Sequence, residues 1–295
     1  MSEPRRAAVL GHPIAHSLSP VLHRAAYAAL GLDWRYDAMD VTADALPGVM
    51  AGLDSSWAGL SLTMPLKQTV LGLLDHVEPL AAVVGAANTV LVQAGEPAVL
   101  VGANTDVPGI VAALGEAGVS AVRTAVVLGA GATASSALAA LAQLGCTTPE
   151  VRARSAARAG GLLRAAHRMG IAPRLGSLAS PAGLVPALVS ADVVVSTLPP
   201  HVADPVAPGL AGAAVVGVLL DCAYDPRPTA LGAAWAAAGG GVVVGGERLL
   251  LHQAAEQVRL MTGRTAPLAA MDAALARALS GPADGPTGGR GAGGG

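Results

Sequence analysis

Residues 125–134 read AVVLGAGATA. The apolar run Ala125–Leu128 predicts a buried strand, and the Ala/Leu-rich run Ala132–Leu144 predicts a helix. Between them lies G-x-G-x-x-A in a strand–turn–helix setting, the fingerprint of a dinucleotide site. Gly129 permits the tight turn, and Gly131 lets the backbone approach a pyrophosphate. Ala134 is small enough for close helix–strand packing, and the helix N-terminus offers free N–H groups to phosphate. Gly129, Ala130, Gly131, Ala132, Thr133 and Ala134 are therefore candidate cofactor residues. The bland alternative is an ordinary turn in a chain with 38 Gly.

The next strand, Glu150–Ala153, sharpens the reading. An NAD site expects an acid about 20 residues beyond the glycines, to hold the ribose 2′-OH. Here the strand runs out into Ala153, Arg154 and Ser155, with Arg158 one turn later and no acid. Arg154 and Arg158 suit a 2′-phosphate, with Ser155 as a hydroxyl donor. We read NADP rather than NAD; a solvated Arg face is the competing explanation.

Outward from this unit, short apolar runs alternate with helical segments. Further strands are predicted at Val193–Ser196, Val215–Leu220 and Val242–Val244, and a helix at Ala156–Met169. Before it, strands are expected at Ala7–Leu10, Trp34–Met39 and Ala58–Leu62, with a hairpin joining Val90–Gln93 to Ala98–Val101 through residues 94–97. Helices are expected at Pro20–Leu30, Ala43–Gly52 and Val107–Glu116. Strands separated by helices argue for parallel sheets covered on both faces. The fold class is α/β in two domains: an N-terminal α/β substrate domain and a Rossmann-type, doubly wound parallel sheet. Residues 1–117 form the first, completed by C-terminal helices within 246–280. Residues 118–245 form the second, and 281–295 are expected to be a disordered tail.

Composition narrows the functional classes. The chain has 295 residues, 53% hydrophobic and 13% charged, with a formal net charge of -2. No basic run argues for nucleic acid. The uncharged stretch 124–149 contains turn and helix-start signals, so it is not read as a membrane span. Two cysteines make no disulfide framework, and a cytoplasmic location is expected. The seven His form no metal-ligand set; His12 and His16 have Pro13 between them and no third partner. The chain holds a single Lys, Lys67, among 17 Arg, and only two Asn, Asn88 and Asn104.

Those rare residues sit in short motifs. Ser17-Leu-Ser19-Pro20 opens a helix, with Ser19 a plausible N-cap and Pro20 at the first helical position. Thr63-Met-Pro-Leu-Lys67 follows a strand, Asn88-Thr precedes one, and Asn104-Thr-Asp106 precedes a helix, where Thr105 or Asp106 is an ordinary capping candidate. Together with GAG at 129–131, STLP at 196–199, DCAYDPRPT at 221–229 and LLLHQ at 249–253, they occur in the order found in one family. From about Ala8 to Leu279 the chain resembles the shikimate dehydrogenases, NADP-dependent enzymes of aromatic amino-acid and chorismate biosynthesis. The resemblance implies that Ser17 and Ser19 hold a substrate carboxylate, with Tyr224 nearby. It implies that Thr63, Lys67, Asn88, Asp106 and Gln253 hold the ring hydroxyls, and that Lys67 and Asp106 are the catalytic pair. Thr197 and Gly246 join the cofactor residues on the same basis. The chain departs from the family at Ser61 and Ala153, each commonly Asn, and at Ala132, commonly Gly. Ala132 would weaken cofactor binding if its φ were positive.

The chemistry agrees with that assignment. Hydride transfer to a carbonyl leaves an oxygen that needs a proton and a stabilising positive charge. A Lys ammonium supplies both, whereas Arg would not release a proton near neutral pH. The expected activity is NADPH-dependent reduction of 3-dehydroshikimate to shikimate, by a monomer or homodimer with no metal. The alternatives are a relative acting on quinate or aminoshikimate with NAD(P), and, more remotely, a non-catalytic NADP sensor. Lys67 and Asp106 argue against the sensor, since a binder needs neither.

Overall fold

The computed structural model describes residues 4–93, 95, 97–179 and 181–280, the side chains of Ala156, Arg158, Pro181 and Ala182 excepted. The expected tail at 281–295 and turn residues Ala94 and Glu96 lie outside the described residues. The first half lays down β1 (Arg6–Gly11), α1 (Ser19–Ala29), β2 (Arg35–Asp40), α2 (Leu46–Ala51), β3 (Trp57–Leu62), α3 (Leu66–Thr69), β4 (His76–Val77), α4 (Pro79–Val84), β5 (Thr89–Gln93), β6 (Val99–Ala103) and α5 (Asp106–Glu116). The second continues with β7 (Ala125–Leu128), α6 (Ala132–Gln143), β8 (Glu150–Ala153), α7 (Gly160–Arg168), β9 (Arg174–Ser177), α8 (Pro181–Ser190), β10 (Val193–Ser196) and β11 (Val218–Asp221). It ends with α9 (Ala230–Ala237), β12 (Val242–Gly245), α10 (Gly246–Thr262) and α11 (Leu268–Ser280).

The second sheet has the order β12-β11-β10-β7-β8-β9, parallel throughout. Strand order reverses between β7 and β10, and ligands of doubly wound sheets bind in the crevice at such a switch point. The buried β-branched runs Val193–Val195 and Val126–Val127 suit strands covered on both faces. Helix α6 carries mostly Ala and Ser on its buried positions, so it can lie close to the sheet.

The first sheet has the order β2-β1-β3-β5-β6-β4 and is mixed. Strands β2, β1 and β3 are parallel, but β5 runs antiparallel to both β3 and β6. The β5–β6 pair is the expected hairpin, and the antiparallel β3–β5 pairing corrects the expectation of a parallel sheet for this half. β5 ends at Gln93 and β6 starts at Val99, which leaves too few residues for the long crossover that a parallel neighbour needs. The predicted helix at 156–169 is also divided: Ala156–Ala159 is a 3-10 turn, and the α-helix starts at Gly160. The expected strand at 215–220 starts only at Val218.

Helices α10 and α11 pack back on α1, and α10 also touches β3 and β5. Their apolar faces form one core with Leu22, Tyr27 and Tyr36. Helix α5 runs beside α10. There Gly109 allows close approach, because a Cβ would sit 3.0 Å from both the backbone N and the Cβ of Gln253. At the far end of this pair Arg248 bridges Glu116 and Asp272, each at 2.6 Å, and His252 Nε2 lies 2.8 Å from Glu116. Among the described residues, no helix is long and apolar enough to cross a membrane.

Hydrogen bonding from Arg248 holds the Glu116 carboxyl down at about 2, below its ordinary 4.5. A depressed folded-state value means stability that is present above pH 4.5 and lost as pH falls through about 2. Glu116→Gln should therefore melt below wild type at neutral pH. The two melting temperatures should converge between pH 4.5 and 2, as followed by thermal unfolding.

Candidate active site

Lys67 lies in the first turn of α3, a short helix absent from the sequence expectations. The chain leaves β3, turns through Thr63-Met64-Pro65 and coils back, so Lys67 points into the space between the two sheets. Ala87 N donates to the Lys67 carbonyl at 2.8 Å, which ties α3 to the segment carrying Asn88. Asp106 is the first residue of α5, and no side chain caps that helix at Thr105. The expected capping duty of Thr105 or Asp106 falls instead to Asn104, whose Oδ1 accepts from Val107 N at 3.2 Å. Asn104 also donates to Ala86 O at 2.9 Å and to Ser136 Oγ on α6 at 3.1 Å. Asp106 is thereby free to pair with Lys67, at 2.6 Å between Nζ and Oδ2. Side-chain exposure is 13% for Lys67 and 5% for Asp106, so the pair is nearly withdrawn from water.

A cavity of ≈ 360 Å³ opens over this pair. Ser17, Ser19, Thr63 and Gln253 line it from the first half and the C-terminal helix, and Thr133, Tyr224 and Gly246 close it from the other side. Ser19 is not the N-cap. That position is Leu18, and Ser19 opens α1 with a buried side chain, so the helix end does not consume its hydroxyl. Its backbone N–H leans on Ser17 Oγ at 3.4 Å. Burial raises the Tyr224 phenol above its usual range, so it stays a neutral donor. Gly246 was expected at the cofactor; the structure places it on this cavity, where a Cβ would clash with Cys222 O.

Asn88 stands apart from the other predicted ring-binding residues. It does not line the cavity. It is 1% exposed and lies behind the pair, donating from Nδ2 to Asp106 Oδ1 at 2.8 Å. The same nitrogen reaches Thr105 Oγ1 at 2.9 Å and Gln253 Oε1 at 3.3 Å.

A second cavity of ≈ 320 Å³ adjoins the first, sharing Thr63, Lys67 and Thr133. Gly131, Ala132 and Thr197 line it opposite Met64, Pro65 and Gln68. Gly129 has φ +110°, and a Cβ there would clash with Thr197 Oγ1, so this position demands glycine. Gly131 has open space where a Cβ would point, and no side chain caps α6. That opening and the free N–H groups fit a pyrophosphate. Ala130 lies in the turn and Ala134 is fully buried in α6. Ala132 is not among the positive-φ residues, so the strain considered for it does not arise.

The third cavity, ≈ 320 Å³, lies at the end of β8 and is lined by Ala153, Arg154 and Ser155. Glu150 is at the opposite end of the strand, paired with Arg152. Among the cavity's lining residues there is a guanidinium and no carboxylate, which fits a 2′-phosphate. The Arg158 side chain lies outside the described residues. Among the described residues, no group of three or more His, Cys, Asp or Glu could hold a metal ion.

Comparison with known proteins matches this geometry. Residues 9–90 fit the family model of the shikimate dehydrogenase substrate binding domain, and 246–276 that of the shikimate 5'-dehydrogenase C-terminal domain. The NADP(+) shikimate dehydrogenase of Moorella thermoacetica is 37% identical over 305 residues, covering 96% of each chain. The chain belongs to the shikimate dehydrogenase family. The crystal structure of Mycobacterium tuberculosis shikimate dehydrogenase is 44% identical, with a TM-score of 0.83 over 93% of this chain and 100% of that one. Shikimate 5-dehydrogenase of Thermus thermophilus, solved with NADP(H) and shikimate, is 34% identical with a TM-score of 0.78, covering 93% and 99%.

Within this family member, the sequence reading missed His16, Ser61, Cys222 and Gln257 as cavity-lining residues. Gln257 follows Gln253 by one helical turn, and that i, i+4 spacing was an available signal. Burial raises the Cys222 thiol far above its usual range, so it lines the cavity as an inert group.

Replacing Gly129 by Ala adds both a contact with Thr197 and backbone strain of about 1–3 kcal/mol. NADPH affinity should fall about tenfold or more, read by nucleotide fluorescence titration, with a lowered melting temperature.

Proposed function

We propose that the chain catalyses the reversible reduction of 3-dehydroshikimate to shikimate with NADPH. The observation that carries this is a buried Lys67–Asp106 pair, 2.6 Å apart, shared by a cavity lined with hydroxyls and one backed by the glycine turn. Residues 1–117 with 246–280 form the substrate half, and 118–245 the cofactor half.

The cofactor, when bound, supplies hydride from its nicotinamide ring. Gly129–Ala134 and Thr197 hold its pyrophosphate side, and Arg154 and Ser155, with Arg158, hold its 2′-phosphate. Ser17 and Ser19 donate to the substrate carboxylate, with Tyr224 beside them. That anchor sets the ring across the cavity, so its C3 oxygen reaches Lys67. Thr63 and Gln253 orient the remaining hydroxyls, while Asn88 acts from behind, through Asp106.

Lys67 Nζ donates to the ketone oxygen and releases a proton to it as charge develops. In the reverse direction it withdraws that proton. Asp106 stabilises the ammonium and fixes its position, and accepts a hydrogen bond from the reacting hydroxyl. The pair is nearly withdrawn from water, which strengthens both interactions. Quinate, the alternative substrate, adds a hydroxyl at the carboxylate end. Ser17 and Ser19 line the cavity there.

Two measurements test these roles. Lys67→Ala should lose about 10²–10⁴-fold in kcat with shikimate and NADP, with KM changed only a few-fold. Near-normal turnover would remove Lys67 from the chemistry. Arg154→Ala should raise KM for NADPH about tenfold, the loss of one charge-assisted bond, and leave KM for NADH unchanged. Equal effects on the two nucleotides would refute the 2′-phosphate role.

A further inference from the structure

Behind the Lys67–Asp106 pair runs a chain of buried polar groups that the mechanism above does not use. Gln257, on α10, is 1% exposed and fully engaged in hydrogen bonds. Its Nε2 donates to the backbone O of Asn88 and to Thr89 Oγ1, both at 3.1 Å. Its Oε1 accepts from Ser61 Oγ at 2.8 Å and faces His23 Nε2 at 3.1 Å. Both amide hydrogens and both lone pairs are used, so Gln257 has nothing left for a ligand although it borders the cavity.

The direction of every bond then follows. A backbone carbonyl only accepts, so the amide nitrogen of Gln257 must face Asn88 O, and its oxygen must face His23. His23 therefore carries its proton on Nε2, and Nδ1 accepts from Tyr27 OH at 3.3 Å. Burial holds this imidazole neutral, its value lowered to about 3. On the other side, Thr89 Oγ1 accepts from Gln257, so its single proton goes to Asn88 Oδ1 at 3.0 Å. The same oxygen accepts from Thr105 N at 2.8 Å, which turns the Asn88 nitrogen toward Asp106. His23 and Thr89 are 0% exposed. All the bonds point one way, from Tyr27 through His23, Gln257, Thr89 and Asn88 to Asp106, and aligned bonds in a dry interior polarise one another.

We propose that Thr89 is a positioning residue for catalysis: it passes the orientation of Gln257 to the Asn88 amide, which holds the Asp106 carboxylate in register with Lys67. This rests on the assignment of Lys67 and Asp106 as the acid–base pair. Thr89 does not border either cavity beside Lys67, and its donated hydrogen bond goes to Asn88, the residue in contact with Asp106. Deleting its hydroxyl frees one Gln257 hydrogen and one Asn88 lone pair, and the amide that steers Asp106 loses a constraint.

The test uses the full-length enzyme, with kcat expressed per NADPH-binding site by fluorescence titration, so that unfolded protein is not counted. Thr89→Val, close in shape, should lower kcat about tenfold, the cost of one buried hydrogen bond, with KM for shikimate within twofold. Thr89→Ser should restore kcat to within twofold of wild type. In a Lys67→Ala background Thr89→Val should have no further effect, because the lysine that Asp106 is held in register with is gone. Thr89→Ala serves in its place if the Val variant folds poorly. A Val variant with wild-type kcat, a change confined to KM, failure of the Ser rescue, or an undiminished effect without Lys67 would each overturn the proposal. Those outcomes beside an inactive Lys67→Ala reject only the role of Thr89, whereas an active Lys67→Ala rejects the acid–base assignment itself.

Discussion

A lysine ammonium and an aspartate carboxylate held almost out of water are the constraint from which the site follows. Removing one partner of such a pair leaves an uncompensated buried charge, at a cost of about 3–5 kcal/mol. The fold meets the demand by bringing two helix starts together. Lys67 enters on the first turn of α3 and Asp106 on the first residue of α5, and Asn88 satisfies the second carboxylate oxygen from below. The remaining lone pairs and protons nearby are matched as well: Thr105, Thr89 and Gln257 leave few loose ends in that layer. Satisfied networks of this kind hold one geometry, because every alternative rotamer would orphan a buried group.

The cofactor side is built on a different principle. There the binding groups are mostly backbone. Gly129 takes a conformation that side chains avoid, Gly131 leaves room, and α6 presents an uncapped N-terminus. These features lie at the switch point of the parallel sheet, where the crevice forms from strand order itself. The two cavities meet at Thr63, Lys67 and Thr133, so the Lys67–Asp106 pair sits where they join. Away from the Lys67–Asp106 pair, Arg154 lines the cavity at the end of β8, and the Arg248–Glu116–Asp272 cluster lies on the outer end of the α5–α10 pair.

Much of this was legible along the chain, for reasons that differ from element to element. The strand, glycine turn and helix at 125–144 announced themselves because backbone sterics act locally: few residues other than Gly can occupy φ +110° beside Thr197. The missing acid after β8 was equally plain, since the end of a strand is a fixed offset from its glycines. Lys67 stood out because it is the only lysine in the chain. By contrast, α3 is too short for periodicity to reveal, and the mixed order of the first sheet depends on which strands meet. Ser19 and Asp106 looked like helix caps, as Ser and Asp before helices usually are. Leu18 and the Asn104 side chain occupy those roles instead, and Ser19 and Asp106 line the cavity.

Local rules, then, were enough to establish an α/β chain with a dinucleotide turn and the residue types for proton transfer beside a hydroxylated ring. They act over a few residues and leave their mark in spacing and composition. Depth was beyond them. Asn88 falls behind the pair rather than on the cavity, and Gln257 reaches it from a helix 169 positions further along the chain. The orientation of each amide follows from partners on other elements. Those facts arise from burial, because a polar group cut off from water must find its partner wherever folding happens to bring one.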